Sequence, residues 1–220
     1  MSKSLDTDLS VEPTTSVSTT DNGSSTESPS PSPERKEHPL TEIIRFALIA
    51  ILIVVPIRFF IAQPFIVSGA SMDNTFANGQ YLIVDQISYY FSDPDRGDVV
   101  VFRYPQDPSK FFIKRVIGLP GDTVSIEDAA VTIINETYPR GLVLDEPYIK
   151  SMAPAAPRTE VLGPREYFVM GDNRDFSSDS RVWGVLQEER IMGRAWLRLF
   201  PPGAADFLPG AVTISGSINE

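Results

Sequence analysis

The amino-acid sequence predicts a mainly β protein, in which one N-terminal transmembrane helix precedes an antiparallel β-sheet or partly closed β-barrel. One long apolar run, residues 43–62, predicts the helix. From residue 63 onward, short runs rich in Val, Ile, Phe and Tyr are separated by turns rich in Gly, Pro and Asp, with no helical period of useful length between them. This pattern predicts the sheet.

The apolar run is just long enough for a bilayer, because a spanning helix needs about 20 mainly apolar residues. We place the span at residues 42–62, with Arg45 and Arg58 near its ends, where their side chains can reach lipid headgroups. Arg35 and Lys36 add positive charge on the N-terminal side, which predicts a cytoplasmic N-terminus and a single-pass protein of the plasma membrane. A buried core helix is the alternative interpretation.

Three further divisions of the chain follow from composition. Residues 1–41 are mostly Ser, Thr, Pro and acidic residues, which predicts a disordered cytoplasmic tail. Residues 63–220 form the exported β-rich domain, with a proline-rich excursion at about residues 136–165. The predicted strands are 64–68, 80–87, 97–104, 110–117, 123–127, 130–135, 166–171 and 190–199.

Composition also excludes several kinds of chemistry. The chain has no cysteine, and its single histidine, His38, precedes the apolar run. Disulfides, thiolate sites and a Ser-His-Asp triad are therefore excluded from the β domain. A formal net charge of −10 argues against nucleic acid as a partner, since phosphate binding requires a basic surface. An enzyme of this composition would have to use Ser, Thr, Tyr, Lys or carboxylates.

Lys114 is the most informative candidate among these. In a strand, alternation places Phe112, Lys114 and Val116 on one face. A lysine between apolar neighbours is poorly hydrated, and desolvation favours the neutral amine, which can accept a proton from a serine hydroxyl. The alternative is a lysine at a strand edge that extends into water.

Two other segments carry polar groups in suggestive patterns. Residues 64–72 run from a strand through small residues to Ser71, a pattern that also fits a Ser/Gly linker. Residues 171–181 have the sequence GDNRDFSSDSR, and so many hydrogen-bonding side chains suggest a rigid polar network. An exposed turn with weak ion pairs is the alternative for this second segment.

Together these stretches resemble a known family. In order and spacing, residues 67–76, 96–105, 112–122 and 171–181 resemble the conserved boxes of bacterial type I signal peptidases. The similarity extends over residues 43–200, and its longest motifs are IKRVIGLPGD and GDNRDFSSDSR.

The resemblance implies a role for each matching residue. Ser71 takes the place of the nucleophile and Lys114 that of the general base. Ser177 matches the serine that orients the lysine through a hydrogen bond. The supporting ion pairs would come from Asp179, Arg181 and Arg115.

The match departs from the family at two positions. Gly69 stands where one branch of the family has an oxyanion-binding serine, so its backbone N–H would join that of Ser71 as an oxyanion donor. Asn74 replaces the usual proline after the Met-x pair, which should loosen the turn.

The resemblance therefore implies a membrane-anchored serine endopeptidase that needs no metal or organic cofactor. It would cleave signal peptides from exported preproteins after small residues of the Ala-X-Ala type, with the lipid bilayer as its second partner. Two alternatives stay open: a catalytically silent β-domain that binds exported proteins, and a Ser-Lys peptidase that cleaves itself or a regulator.

Overall fold

The computed structural model describes residues 39–56, 62–153 and 156–218. The tail predicted at residues 1–41 lies outside these ranges, except for residues 39–41, which are helical. The described β domain is mainly antiparallel, as the sequence predicts.

Helix α1 spans Pro39–Pro56, and its apolar side chains are exposed. Pro39 is tolerated at the start of a helix, where its missing N–H would have no intrahelical partner. The C-terminal end of the transmembrane helix predicted at residues 42–62 needs correction, because Ala62 already pairs with Asp85 in a β-ladder. Residues 57–61 of that prediction lie outside the described residues. Among the helices that the structure describes, none is long and apolar enough to cross a membrane.

All eight predicted strands are confirmed, with ends that differ by at most three residues. The strands, in chain order, are β1 (Ala62–Ile66), β2 (Tyr81–Asp85), β3 (Val99–Tyr104), β4 (Asp107–Gly118), β5 (Thr123–Glu127), β6 (Ala130–Ile134), β7 (Leu142–Leu144), β8 (Arg158–Val161), β9 (Glu166–Met170), β10 (Leu186–Gln187), β11 (Ile191–Phe200), β12 (Asp206–Phe207) and β13 (Gly216–Ile218). One helical turn, α2, spans Ser180–Trp183.

The strands form two sheets. The larger sheet has the order β1-β2-β11-β3-β4-β9-β10, with β12 beside the far end of β11, and the smaller has the order β13-β7-β6-β5-β8. In neither sheet do the first and last described strands pair, so the prediction of a partly closed barrel is wrong. Strands β5 to β8 and β13 pair only with one another, so they form a second open sheet instead of closing the first one into a barrel.

The excursion at residues 136–165 is more ordered than a loop. It supplies β7 and β8, which pair with β6 and β5 on the two sides of one hairpin. The excursion therefore forms part of the smaller sheet, which its prolines and polar residues did not indicate.

The two sheets share one apolar cluster. Val124, Ile133 and Leu142 of the smaller sheet pack with Ile117 and Phe168 of the larger one, and all five are buried. Burying such side chains stabilises each by about 1.5–3 kcal/mol relative to exposure. This contact brings the excursion against β4, which carries Lys114, and against β9, which leads directly into residues 171–181.

Candidate active site

The turn that carries Ser71 is anchored on the sheet by apolar residues. Met72 and Phe76 are 1 % and 0 % exposed and pack against Leu82 and Val99. The Phe76 N–H donates to the Met72 carbonyl at 2.7 Å, which closes the turn. Because its neighbour Met72 is buried, Ser71 is fixed at the surface of the core.

Lys114 lies on β4 and points at this turn. Its Nζ lies 2.7 Å from Ser71 Oγ and 2.9 Å from the carbonyl oxygen of Ile113, and it lies 5.2 Å from the centre of the Phe112 ring. The side chain is buried, with Lys114 only 3 % exposed. The structure thus brings together the nucleophile and the base that the resemblance implies.

Burial changes the acidity of this amine. Desolvation lowers the pKa of Lys114 from 10.5 to about 8, while the negative charges of Asp179 and Asp172 oppose the shift. A substantial fraction of the amine is therefore neutral near pH 8. In that form its lone pair can accept the proton of Ser71.

The segment 171–181, called here the polar loop, holds the backbone of Ser71. The Asn173 N–H donates to Ser71 O at 3.0 Å, and its side-chain Nδ2 donates to Ala70 O at 2.9 Å. A Cβ added to Gly171 would lie 2.4 Å from Ser71 O and 2.2 Å from Ser177 Oγ. Only glycine fits there. The sequence marked this loop as a rigid network, but nothing in it identified Asn173 and Gly171 as contacts of the nucleophile.

Asp179 and Arg181 form an ion pair near the site. Asp179 is fully buried and accepts from Arg181 Nη2 at 2.8 Å and from the Gly171 N–H at 3.0 Å. Burial raises the pKa of Asp179, but the hydrogen bonds and charge of Arg181 outweigh it and keep that pKa below its ordinary value. Asp179 therefore stays ionised beside Lys114.

Arg115 belongs to a separate ion pair. Its guanidinium binds Asp172 through two hydrogen bonds of 2.8 and 2.6 Å, and both side chains are 0 % exposed. Nη1 also donates to the carbonyls of Gly97 and Gly210. Asp172 was not among the residues expected at the site, although its place beside Gly171 in the polar loop was visible in the sequence.

Ser177 lies close to the site but does not bind the lysine. Among the described residues its buried hydroxyl has no partner at hydrogen-bonding geometry, although its proximity contributes to the low pKa of Asp179. The hydrogen bond expected between Ser177 and Lys114 is absent, and the Ile113 carbonyl is the second contact of the amine.

Gly69 and Asn74, the two positions at which the sequence departs from the family pattern, differ in their geometry. The Gly69 N–H, expected as an oxyanion donor, donates to Asn78 Oδ1 at 3.0 Å. Within the described part of the chain, the Ser71 N–H donates no hydrogen bond, so it is available to an oxyanion. Asn74 has φ 92°, a left-handed conformation that proline, fixed near φ −65°, does not adopt.

Ser71 and Lys114 lie in the wall of an open cavity of about 470 Å³. Most of the wall is apolar, with Phe65, Phe112 and Ile113 beside the two polar groups. The arrangement supplies a hydroxyl, a desolvated amine and a free backbone N–H at one place, which are the parts needed for acyl transfer.

The chain is similar to several known proteins. A family model described as "Signal peptidase, peptidase S26" matches residues 40–200. The chain belongs to the signal peptidase family. It is 35 % identical to the probable signal peptidase I-1 of Synechocystis, over 86 % of this chain and 98 % of that protein. It is 37 % identical to signal peptidase I of Leptolyngbya laminosa, over 79 % and 86 %.

The signal peptidase family also includes a solved structure with similarity to this chain. Signal peptidase I from Enterococcus faecalis matches with a TM-score of 0.39 and 28 % identity, over 47 % of this chain and 97 % of that one. Membership in the signal peptidase family makes this protein a peptidase of the signal peptidase I type.

Proposed function

We propose that this peptidase removes signal peptides from exported preproteins, with Ser71 as the nucleophile and Lys114 as the general base. The single observation that supports it most is the 2.7 Å contact between Lys114 Nζ and Ser71 Oγ, made by an amine that is almost wholly buried. Membership in the signal peptidase family supports the reaction class.

The reaction follows from the roles of these groups. Ser71 Oγ attacks the scissile carbonyl carbon while neutral Lys114 accepts the hydroxyl proton. The new ammonium then donates that proton to the leaving amine, which releases the mature protein. Lys114, neutral again, takes a proton from the water that attacks the acyl-enzyme ester, and it gives that proton to Ser71 Oγ as the ester breaks and the signal peptide is freed. The Ser71 N–H donates to the oxyanion in both steps.

Asp179, Arg181 and Arg115 play supporting roles in this proposal. The Asp179 carboxylate accepts a hydrogen bond from the Gly171 N–H, and Arg181 keeps that carboxylate ionised. Arg115 anchors the polar loop through its ion pair with Asp172. Ser177 lines the same corner of the site, and we assign it the task of filling the space against Gly171. Gly69 provides the left-handed turn, with φ 96°, that leads to the nucleophile.

The substrate is proposed to bind as an extended strand. β1 is the first strand of the larger sheet, and it leads directly to the turn that carries Ser71, so an added strand at this edge would pass the nucleophile. The apolar cavity would accept small side chains, such as alanine, at the first and third positions before the cut. We place the enzyme at the plasma membrane, with residues 63–220 as its outer peptidase domain, on the basis of the charge at Arg35, Lys36 and Arg45.

Cleavage of a preprotein by the full chain tests the proposal. The unmodified protein should release a mature product whose new N-terminus follows an Ala-X-Ala type sequence, read by mass spectrometry. Ser71→Ala should leave the preprotein uncut because it removes the nucleophilic hydroxyl. Lys114→Arg should do the same, because arginine stays charged and cannot accept a proton. Matched controls are Ser217→Ala and Lys150→Arg, both at exposed positions outside the site, and both should retain full cleavage.

Failure would take a recognisable form. If the unmodified protein binds the preprotein and leaves it intact, the chain is a binding domain. If Ser71→Ala still cleaves, another group is the nucleophile.

A further inference from the structure

The excursion between β6 and β9 reaches the polar loop through a further buried ion pair, between Glu146 and Arg174. Arg174 Nη1 lies 2.8 Å from Glu146 Oε2, and Nη2 contacts Oε1. The two side chains are 0 % and 5 % exposed. The Tyr148 hydroxyl donates to Glu146 Oε1 at 2.6 Å, so the carboxylate has three close hydrogen bonds.

A short path of direct contacts leads from this pair to the nucleophile. Arg174 follows Asn173, whose backbone and side-chain nitrogens hold the carbonyls of Ser71 and Ala70. Arg174 Nε also donates to Gly171 O at 3.1 Å, which fixes the residue that packs against Ser71 O. Arg174 therefore lies between the carboxylate of Glu146 and the two residues of the polar loop, Asn173 and Gly171, that lie against the backbone of Ser71.

The same part of the excursion makes two other contacts with the core of the site. The Tyr148 ring lies 4.0 Å from the guanidinium carbon of Arg115, the partner of Asp172. Further along, Asp175 of the polar loop accepts hydrogen bonds from Ser151 Oγ and from the Ala153 N–H. Besides Arg174, the excursion thus contacts the polar loop directly at Asp175, and through Tyr148 it reaches Arg115, the partner of Asp172.

We propose that Glu146 is a positioning residue of the peptidase reaction, which holds Ser71 in place through Arg174 and Asn173. This inference rests on the proposed function, since it assigns Glu146 a task in the alignment of Ser71 with Lys114. The carboxylate touches neither the substrate nor the reacting atoms. Its effect is confined to how well the polar loop is fixed behind the nucleophile.

Two arguments indicate that the Glu146–Arg174 pair affects the alignment of Ser71 with Lys114 more than it affects the stability of the fold. A buried ion pair adds little net stability, because desolvation of both charges offsets their attraction, so this pair is better explained by the geometry it imposes. Catalysis is also far more sensitive to small displacements than folding is, since a shift of about 1 Å in a reacting group costs about 100-fold in rate.

The test compares Glu146→Gln with a control in steady-state cleavage of a preprotein by the full chain. Glutamine keeps the shape of the side chain but loses the charge that fixes Arg174. We expect kcat to fall by about 10- to 100-fold while KM and the pH at half-maximal kcat/KM stay unchanged. The matched control is Glu189→Gln, which removes the same charge from an exposed pair with Arg165, and its kcat should stay within about twofold of the unmodified protein.

Tyr148→Phe covers the case in which Glu146→Gln fails to fold. It keeps the aromatic ring beside Arg115 and both charges of the ion pair, and it removes only the hydroxyl that fixes Glu146. We expect kcat to fall by about threefold or more, again at unchanged KM. Circular dichroism and thermal melting of each variant give the folded fraction used to normalise kcat.

The outcomes separate this inference from the proposed function. A folded Glu146→Gln protein with kcat within twofold of the unmodified enzyme overturns the inference, as does an unchanged kcat in Tyr148→Phe when Glu146→Gln does not fold. A loss of melting temperature with no loss of kcat per folded molecule also overturns it, because it indicates a purely structural role. If the unmodified protein shows no Ser71-dependent cleavage, the proposed function fails first.

Discussion

Lys114 and Arg115 are consecutive residues of β4, both are buried, and their charged ends meet different partners. Lys114 Nζ contacts Ser71 Oγ, whereas Arg115 binds Asp172. The alternation of a β-strand places the two side chains on opposite faces, so one face of β4 supplies the base while the other anchors the polar loop. Because each face supplies its own partners, two adjacent basic side chains can both be buried.

The stability of the protein should reveal the cost of burying Lys114. Between about pH 8 and pH 10.5 the unfolded chain binds more protons at this lysine than the folded chain does, so stability gains from this group as pH rises through that window. Below pH 8 the full penalty, about 3 kcal/mol, is present.

Lys114→Met should therefore increase the free energy of unfolding at pH 7 by up to about 3 kcal/mol, less the lost contact with Ser71. Denaturant unfolding at several pH values measures this difference, which should shrink as pH rises from 8 to 10.5. Lys150→Met, at an exposed position, serves as the control and should show no such trend. A Lys114→Met protein that is less stable at every pH would argue against a strained, buried ammonium.

Gly171 should tolerate no side chain. The Cβ of Gly171→Ala would lie 2.4 Å from Ser71 O, closer than van der Waals contact allows, so the nucleophile or the polar loop must move. We expect kcat to fall by about 100-fold or more. Gly203→Ala is the matched control, because a Cβ there meets nothing within 4 Å and its kcat should not change. Equal activity of the two variants would show that the close packing behind Ser71 has no role in the reaction.

The Arg115–Asp172 pair should be costly to break from one side. Asp172→Asn leaves a guanidinium that is 0 % exposed without its counter-charge. Removing one partner of a buried pair usually costs about 3–5 kcal/mol of unfolding free energy. Denaturant unfolding measures the loss, and Glu189→Gln, in the exposed pair with Arg165, should cost less than about 0.5 kcal/mol. Similar small losses in both variants would mean that the buried pair does not hold the polar loop.

Local patterns in the sequence were sufficient for the longer strands and made Lys114 a candidate base. Alternation over residues 112–116 predicted the strand and left two interpretations of Lys114, a desolvated amine and an edge lysine in water. The structure supports the first, since Lys114 is 3 % exposed. β7, β8, β10, β12 and β13 were missed, since two to four residues carry too little periodicity and their pairing partners are remote in the chain.

The contacts behind the nucleophile were beyond the sequence for a similar reason. Asn173 and Ser71 are about a hundred residues apart, and Glu146 meets Arg174 only because the excursion joins the smaller sheet. The turn at Asn74 was expected to be looser than one with proline, whereas its φ of 92° shows that a different turn forms. Such features depend on tertiary packing, which no local pattern encodes.

The pH dependence of kcat/KM for preprotein cleavage tests the proposed mechanism most directly, because it follows the free enzyme's general base. With Lys114 as that base, kcat/KM should rise with pH, reach half its maximum near pH 8 and then level off. A value of kcat/KM that stays constant from about pH 5 to about pH 9 would contradict a lysine base and leave Ser71 without its proton acceptor.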